Sequence, residues 1–134
     1  MMSHLDIRAI VLTTLAVLGL DFIISSVVIG MFAGEQVANA TDDQTRKAII
    51  VALAANPGYL RTVLILGTAT TVLGGFMIAR IARSLPYFNA LSFGVVGVLL
   101  NIVPASNIPT WVQVLGVAAT IPAALLGAYL ARRR

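Results

Sequence analysis

Long apolar runs broken by short polar stretches set out the plan of this chain. Four runs occur, from Ala9 to Ala33, Leu60 to Ala82, Pro86 to Val103 and Trp111 to Ala131. None alternates in polarity as the strands of a membrane barrel do. A helix needs roughly 20 residues to cross the hydrocarbon core, with a range of about 17–25. All four runs meet that length. The pattern predicts an all-α fold: a four-helix transmembrane bundle forming one membrane domain over residues 1–134. The first run is expected to be retained, because the apolar core of a cleaved signal is only about 7–15 residues.

The connection between the first two runs is long and has its own pattern. Thr-Asp-Asp-Gln at 41–44 reads as a capping box, with Thr41 as N-cap and Gln44 three residues on. Asp42 and Asp43 suit the positive end of a helix dipole. A short amphipathic helix over about 41–55 is therefore expected, ending before Asn56-Pro57-Gly58. Its apolar half is expected to lie in the plane of the membrane interface.

Small residues recur at intervals of four within the runs. Gly67, Thr71, Gly75 and Ala79 line one face of the second run. Ala119, Ala123, Gly127 and Ala131 do the same on the fourth. Lipid tails are as apolar as leucine, so membrane helices associate through close backbone approach at such residues. The two ladders serve either the bundle itself or a contact with another protein. Pro122 sits in the middle of the fourth run and is expected to kink it, with Thr120 near enough to bond a freed carbonyl.

Composition agrees with a lipid setting. Of the 134 residues, 59% are hydrophobic and 10% charged, and the mean hydropathy is +0.97. Soluble domains run at about 45–50% apolar and about 25% charged. There is no cysteine, which excludes disulfides, thiolate-bound metals and cysteine nucleophiles. The net charge of +4 would suggest nucleic acid in a soluble domain. Here the basic residues cluster at the ends of apolar runs, so anionic lipid headgroups and topology explain them better. Arg8, Arg80, Arg83, Arg132, Arg133 and Arg134 fall on one side of a four-span chain. Arg46, Lys47 and Arg61 fall on the other. The positive-inside bias puts both termini in the cytoplasm. Arg80, Arg83 and the terminal arginines are expected to meet headgroups.

One residue breaks the apolar pattern. Asp21 stands at the centre of the first run. An aspartate at a helix centre costs about 2.5–3.5 kcal/mol on the insertion scale, against gains of about 0.3–0.6 for each Leu, Ile, Val or Phe. Fourteen residues of those types between Ala9 and Ala33 outweigh it. Thr14 and Ser25 share its helix face, and Thr68, Thr70 and Thr71 sit near the midpoint of the second run. These six residues form the expected intramembrane polar cluster, with Asp21 bonded to hydroxyls. Such an acid is a proton or cation site, interhelical glue, or the partner of a cation on another subunit. His4 has no metal-ligand neighbours, Gly74-Gly75 belongs to no phosphate loop, and Ser25-Ser26 has no triad. No enzyme, cofactor or metal is expected.

Gly-Gly-Phe-Met-Ile-Ala-Arg-Ile-Ala-Arg at 74–83, Pro-Tyr-Phe-Asn-Ala at 86–90 and Pro-Ala-Ala-Leu-Leu-Gly-Ala-Tyr-Leu-Ala-Arg-Arg at 122–133 carry a resemblance. With them the chain, from Asn56 onward, resembles small bacterial inner-membrane proteins with four spans. The resemblance implies a fold and imports no activity. The leading expectation is a small structural or accessory subunit that packs by its small-residue faces against a larger membrane complex or a copy of itself. The alternative is a proton- or cation-coupled small transporter with Asp21 as the titrating group.

Overall fold

The computed structural model describes residues 5–82, 84–102 and 108–133. Five helices run in order: α1 (Ile7–Asn39), α2 (Asp43–Leu53), α3 (Pro57–Ile81), α4 (Pro86–Ile102) and α5 (Thr110–Arg132). They hold 89% of the described residues, which include no strand. α1, α3 and α5 are long and apolar enough to cross a membrane, while α4, at 17 residues, is a shorter apolar helix. At 1.5 Å per residue, α4 is about 26 Å long, against a hydrocarbon core of about 30 Å.

Local chemistry sets the helix ends. Asp6 caps α1, its carboxylate accepting from the Ala9 amide at 3.0 Å. Asn56 caps α3 by accepting from the amides of Gly58 and Tyr59, and Pro57 occupies the first helical turn, where its missing N–H costs nothing. α3 therefore starts three residues before the predicted Leu60. The expected cap of α2 is corrected: Asp42, not Thr41, is the N-cap. Its carboxylate accepts from the Thr45 amide at 2.6 Å and from the Thr45 hydroxyl at 3.0 Å. A carboxylate has two acceptor oxygens and can take both donors, which one threonine hydroxyl cannot. Those bonds hold the Asp42 carboxyl below the usual aspartate range.

α1 continues to Asn39, six residues past its predicted end, with non-helical backbone at Ala33. α5 runs through Pro122 as one helix. Thr120 donates to the Gly116 carbonyl at 2.7 Å, four residues back, and not to the carbonyl that proline would free.

The helices pack unevenly along their length. The half of the bundle that holds the α1 start, the α3–α4 turn and the α5 end, the terminal end, has a packed core, with an open groove on its surface beside Pro86, Leu91 and Leu125. Ala9, Ile10 and Val17 of α1 meet Ile78 and Ala82, Ala90 and Phe93 of α4, and Ala124 and Ala128 of α5. Small side chains dominate, so backbones approach closely. At the α3–α5 crossing, a Cβ on Gly75 would land on the Ala124 carbonyl, and one on Gly127 would land on the Val72 carbonyl. Only glycine fits at both positions. Asn89, fully buried, ties this end together. Its Oδ1 accepts from the Asp6 amide at 2.9 Å, while its Nδ2 donates to the carbonyls of Ser84 at 2.8 Å and Leu85 at 3.2 Å. Leu85 has φ +45°, a left-handed conformation unfavourable for a branched side chain. The Asn89 bonds hold that turn. Toward the opposite end, where α2 joins α1 to α3, Phe32 and Tyr59 meet edge to face at 5.8 Å.

Candidate functional site

In the half of the bundle nearer α2, the helices separate and leave a cavity of about 330 Å³. Stripes from three helices enclose it: Asp21, Ile24, Ser25 and Val28 from α1, residues 63–71 of α3, and residues 112–120 of α5. Within each stripe the lining positions recur every three or four residues, the spacing of one helix face. α3 is the back wall, and the cavity stands between α1 and α5. Asn101 and Ile108 contribute at its α2 end. Asp21, Thr71 and Thr120 are the lining positions nearest the packed core, one turn from Val17, Gly75 and Ala124.

Asp21 is half-buried, and its one hydrogen-bond partner among the described residues is Thr70, which is buried. The Thr70 hydroxyl lies 2.6 Å from Asp21 Oδ1 and 2.9 Å from the carbonyl oxygen of Gly67. One hydroxyl carries one proton, so it donates to only one of these at a time. An ionised Asp21 accepts the hydrogen bond from Thr70. A protonated Asp21 donates its own to the Thr70 oxygen, and Thr70 then turns to Gly67. The pair is satisfied in either protonation state.

The other members of the expected cluster are arranged differently. Thr68 and Thr71 line the cavity but donate to their own helix, to the carbonyls of Leu64 and Gly67, each at 2.8 Å. They do not reach Asp21, because a threonine hydroxyl in a helix finds the carbonyl four residues back without any side-chain ordering from a neighbour. Ser25 lies on the cavity wall and is exposed. Thr14 does not join Asp21: its hydroxyl, like that of fully buried Thr13, is enclosed with no partner. Seven residues, about 10 Å of helix, separate Thr14 from Asp21.

The small-residue ladders divide between two uses. Gly75, Ala123, Gly127 and Ala131 are buried and Ala79 packs on the core, all inside the chain. Ala119 is half-buried. Gly67 packs against nothing: a Cβ there would meet no atom within 4 Å, and the residue lines the cavity with Thr71. Gly116 across from it is equally open. Arg80, Arg132 and Arg133 gather at the terminal end, over the rings of Phe76 at 5.5 Å, Tyr87 at 5.4 Å and Tyr129 at 5.0 Å. Arg83 and Arg134 lie outside the described residues.

Asn101, Gln113 and Thr120 belong to the cavity and were not assigned to it by sequence. Asn101 and Gln113 carry a signal, since each is an amide within an apolar run. Nothing in one sequence places them opposite Asp21. Among the described residues, no lysine, arginine or histidine lines the cavity, and no group of three His, Asp or Glu side chains could hold a metal. Compared with protein-family models, with curated proteins and with solved structures, the chain has no match.

Proposed function

We propose that this chain is a four-span inner-membrane protein that couples the movement of a small solute to protonation of Asp21. In this reading α1, α3, α4 and α5 cross the bilayer, and both termini lie in the cytoplasm with the cluster of arginines. α2 rests on the outer face, and the cavity is an outward-facing vestibule ending at mid-membrane. α4 is short for a span, but about 17 residues is the lower limit for one.

A single observation carries the reading: Asp21 floors a cavity while a buried hydroxyl behind it serves both of its protonation states. A merely adhesive aspartate needs neither the cavity nor the second acceptor at Gly67. Intramembrane acids facing cavities mark ion and proton pathways. The test is reconstitution into liposomes loaded with a pH-sensitive dye. Imposed cation gradients should drive proton flux with the wild type, and Asp21→Asn should abolish it while the helical content stays unchanged. Equal flux from both proteins, or none with any cation, would refute the proposal.

The accessory-subunit reading keeps one supporting feature. α1 buries the smallest share of its apolar stretch of the three long helices, and exposes Leu12, Leu15, Phe22, Ile23 and Met31. Lipid covers such a face as readily as protein does. Gly75 and Gly127 are taken up by the α3–α5 crossing inside the chain, so those two glycines offer no face to a partner. Purification in mild detergent separates the readings: a lone chain counts against the subunit role, and a stoichiometric partner counts for it.

A further inference from the structure

The cavity's hydrogen-bonding polarity defines the chemistry of what it holds. We infer that its ligand is a small organic ammonium ion with N–H donors and an apolar body. This rests on the reading of Asp21 as the working group of the cavity and names the solute.

Charge comes first. Asp21 is the one ionisable side chain lining the cavity among the described residues, so an anion would find no counter-charge there. Hydrogen-bond direction narrows the choice. Thr68, Thr71 and Thr120 each commit their single hydroxyl proton to a carbonyl of their own helix, at 2.8, 2.8 and 2.7 Å. Their oxygens can then only accept. Acceptors thus converge from α1, α3 and α5 at the end of the cavity nearest the packed core, while the donors that also line it, the Ser25 hydroxyl and the amides of Asn101 and Gln113, stand toward its α2 end. An –NH3+ group has three donors and no acceptor, which complements this set. A ligand of acceptors, such as a carboxylate or a phosphate, does not.

The walls and the volume supply the rest. Ile24, Val28, Val63 and Val112 enclose the space toward α2 with apolar surface, which suits an alkyl or aryl body. At about 330 Å³ the cavity would take about eleven waters at roughly 30 Å³ each. It stands at the small end of the ligand-pocket range of about 300–1,000 Å³. A bare monovalent ion would leave most of it unfilled.

The experiment is calorimetric titration of the full chain in nanodiscs of zwitterionic lipid. The probes are n-butylammonium, n-butanol, tetramethylammonium and sodium ion. Saturable binding of n-butylammonium is expected. Butanol, which lacks the charge, and tetramethylammonium, which lacks N–H donors, should bind at least tenfold more weakly. Asp21→Asn should weaken n-butylammonium binding at least tenfold. Gly67→Leu should abolish it, because the added side chain meets open space at its root and fills the cavity without disturbing the fold. This second variant keeps the test decisive if Asp21→Asn misfolds. Equal binding of butanol or tetramethylammonium, or n-butylammonium binding that survives both substitutions, would overturn the inference. Asp21-dependent binding of sodium with no binding of n-butylammonium would overturn the ammonium ligand and leave the Asp21 proposal standing. No Asp21-dependent response to any cation would remove both.

Discussion

Thr70 has one hydroxyl proton and two acceptors within reach, Asp21 and the Gly67 carbonyl. Replacing it with valine keeps the shape and removes the bond, leaving Asp21 without its partner. Interhelical bonds of this kind average about 0.6 kcal/mol, and reach about 1.7. Thr70→Val should therefore destabilise the chain by about 1 kcal/mol in denaturant titrations, and Thr70→Ser should restore most of the loss. A stability unchanged in Thr70→Val would mean that the bond is replaced by water from the cavity. Asp42 allows a pH test away from the bilayer. Its carboxyl lies below the usual range because it accepts from the amide and the hydroxyl of Thr45. A lowered folded-state value means that its contribution is complete above the ordinary aspartate value of about 3.9, and fades as pH falls through the lowered one. After correction for intrinsic rates, amide exchange at Thr45 and Arg46 should accelerate below about pH 4. Asp42→Ala should show fast exchange at every pH. Identical exchange in the two proteins at neutral pH would rule out the cap as the source of α2 order.

The small-residue ladders belong to the scale of helices, and their two halves predict opposite behaviour. At Gly75 and Gly127 an added methyl would meet backbone that cannot turn aside. Overpacking of this kind costs about 1–3 kcal/mol, occasionally more. Gly75→Ala and Gly127→Ala should lower the thermal stability in detergent and drive α3 from α5. Gly67→Ala and Gly116→Ala should be neutral or slightly stabilising, because alanine favours helix by up to about 1 kcal/mol and the space is open. If all four behave alike, the uneven packing described above is wrong. The same ladders show what one sequence conveys about a fold. Length, apolarity and spacing were enough to predict α1, α3, α4 and α5 to within a few residues at most ends. The C-terminal end of α1 was missed because Glu35 and Gln36 look like a loop once the apolar run stops, although helical backbone tolerates both. Spacing by four also marked Gly67 and Gly75 as equivalent. Their difference depends on what lies opposite, and a repeat along one helix carries no record of the neighbour. Asn89 was legible only as one polar residue near a helix start, because its three bonds join segments 83 residues apart in one case.

At the scale of the molecule, the described residues pack a continuous core in the terminal half, with an open groove on its surface between α4 and α5, and leave a cavity between the helices in the half nearer α2. Asp21 stands where the two meet, and that position could not be read from sequence. Its face and its depth in α1 could be, but not the cavity that the described residues leave beside it. The proposed function makes the α2 side the accessible side of the cavity. The cysteine-free chain lets this be measured directly, with single cysteines in sealed membrane vesicles of both orientations. Gly67→Cys, on the open wall, should react with a membrane-impermeant thiol reagent added on the side that carries α2, and only on that side. Ala90→Cys, in the packed core, should react from neither side until the protein is denatured. Protection of Gly67→Cys from both sides, or labelling from the side of the termini, would contradict a water-filled vestibule leading to Asp21.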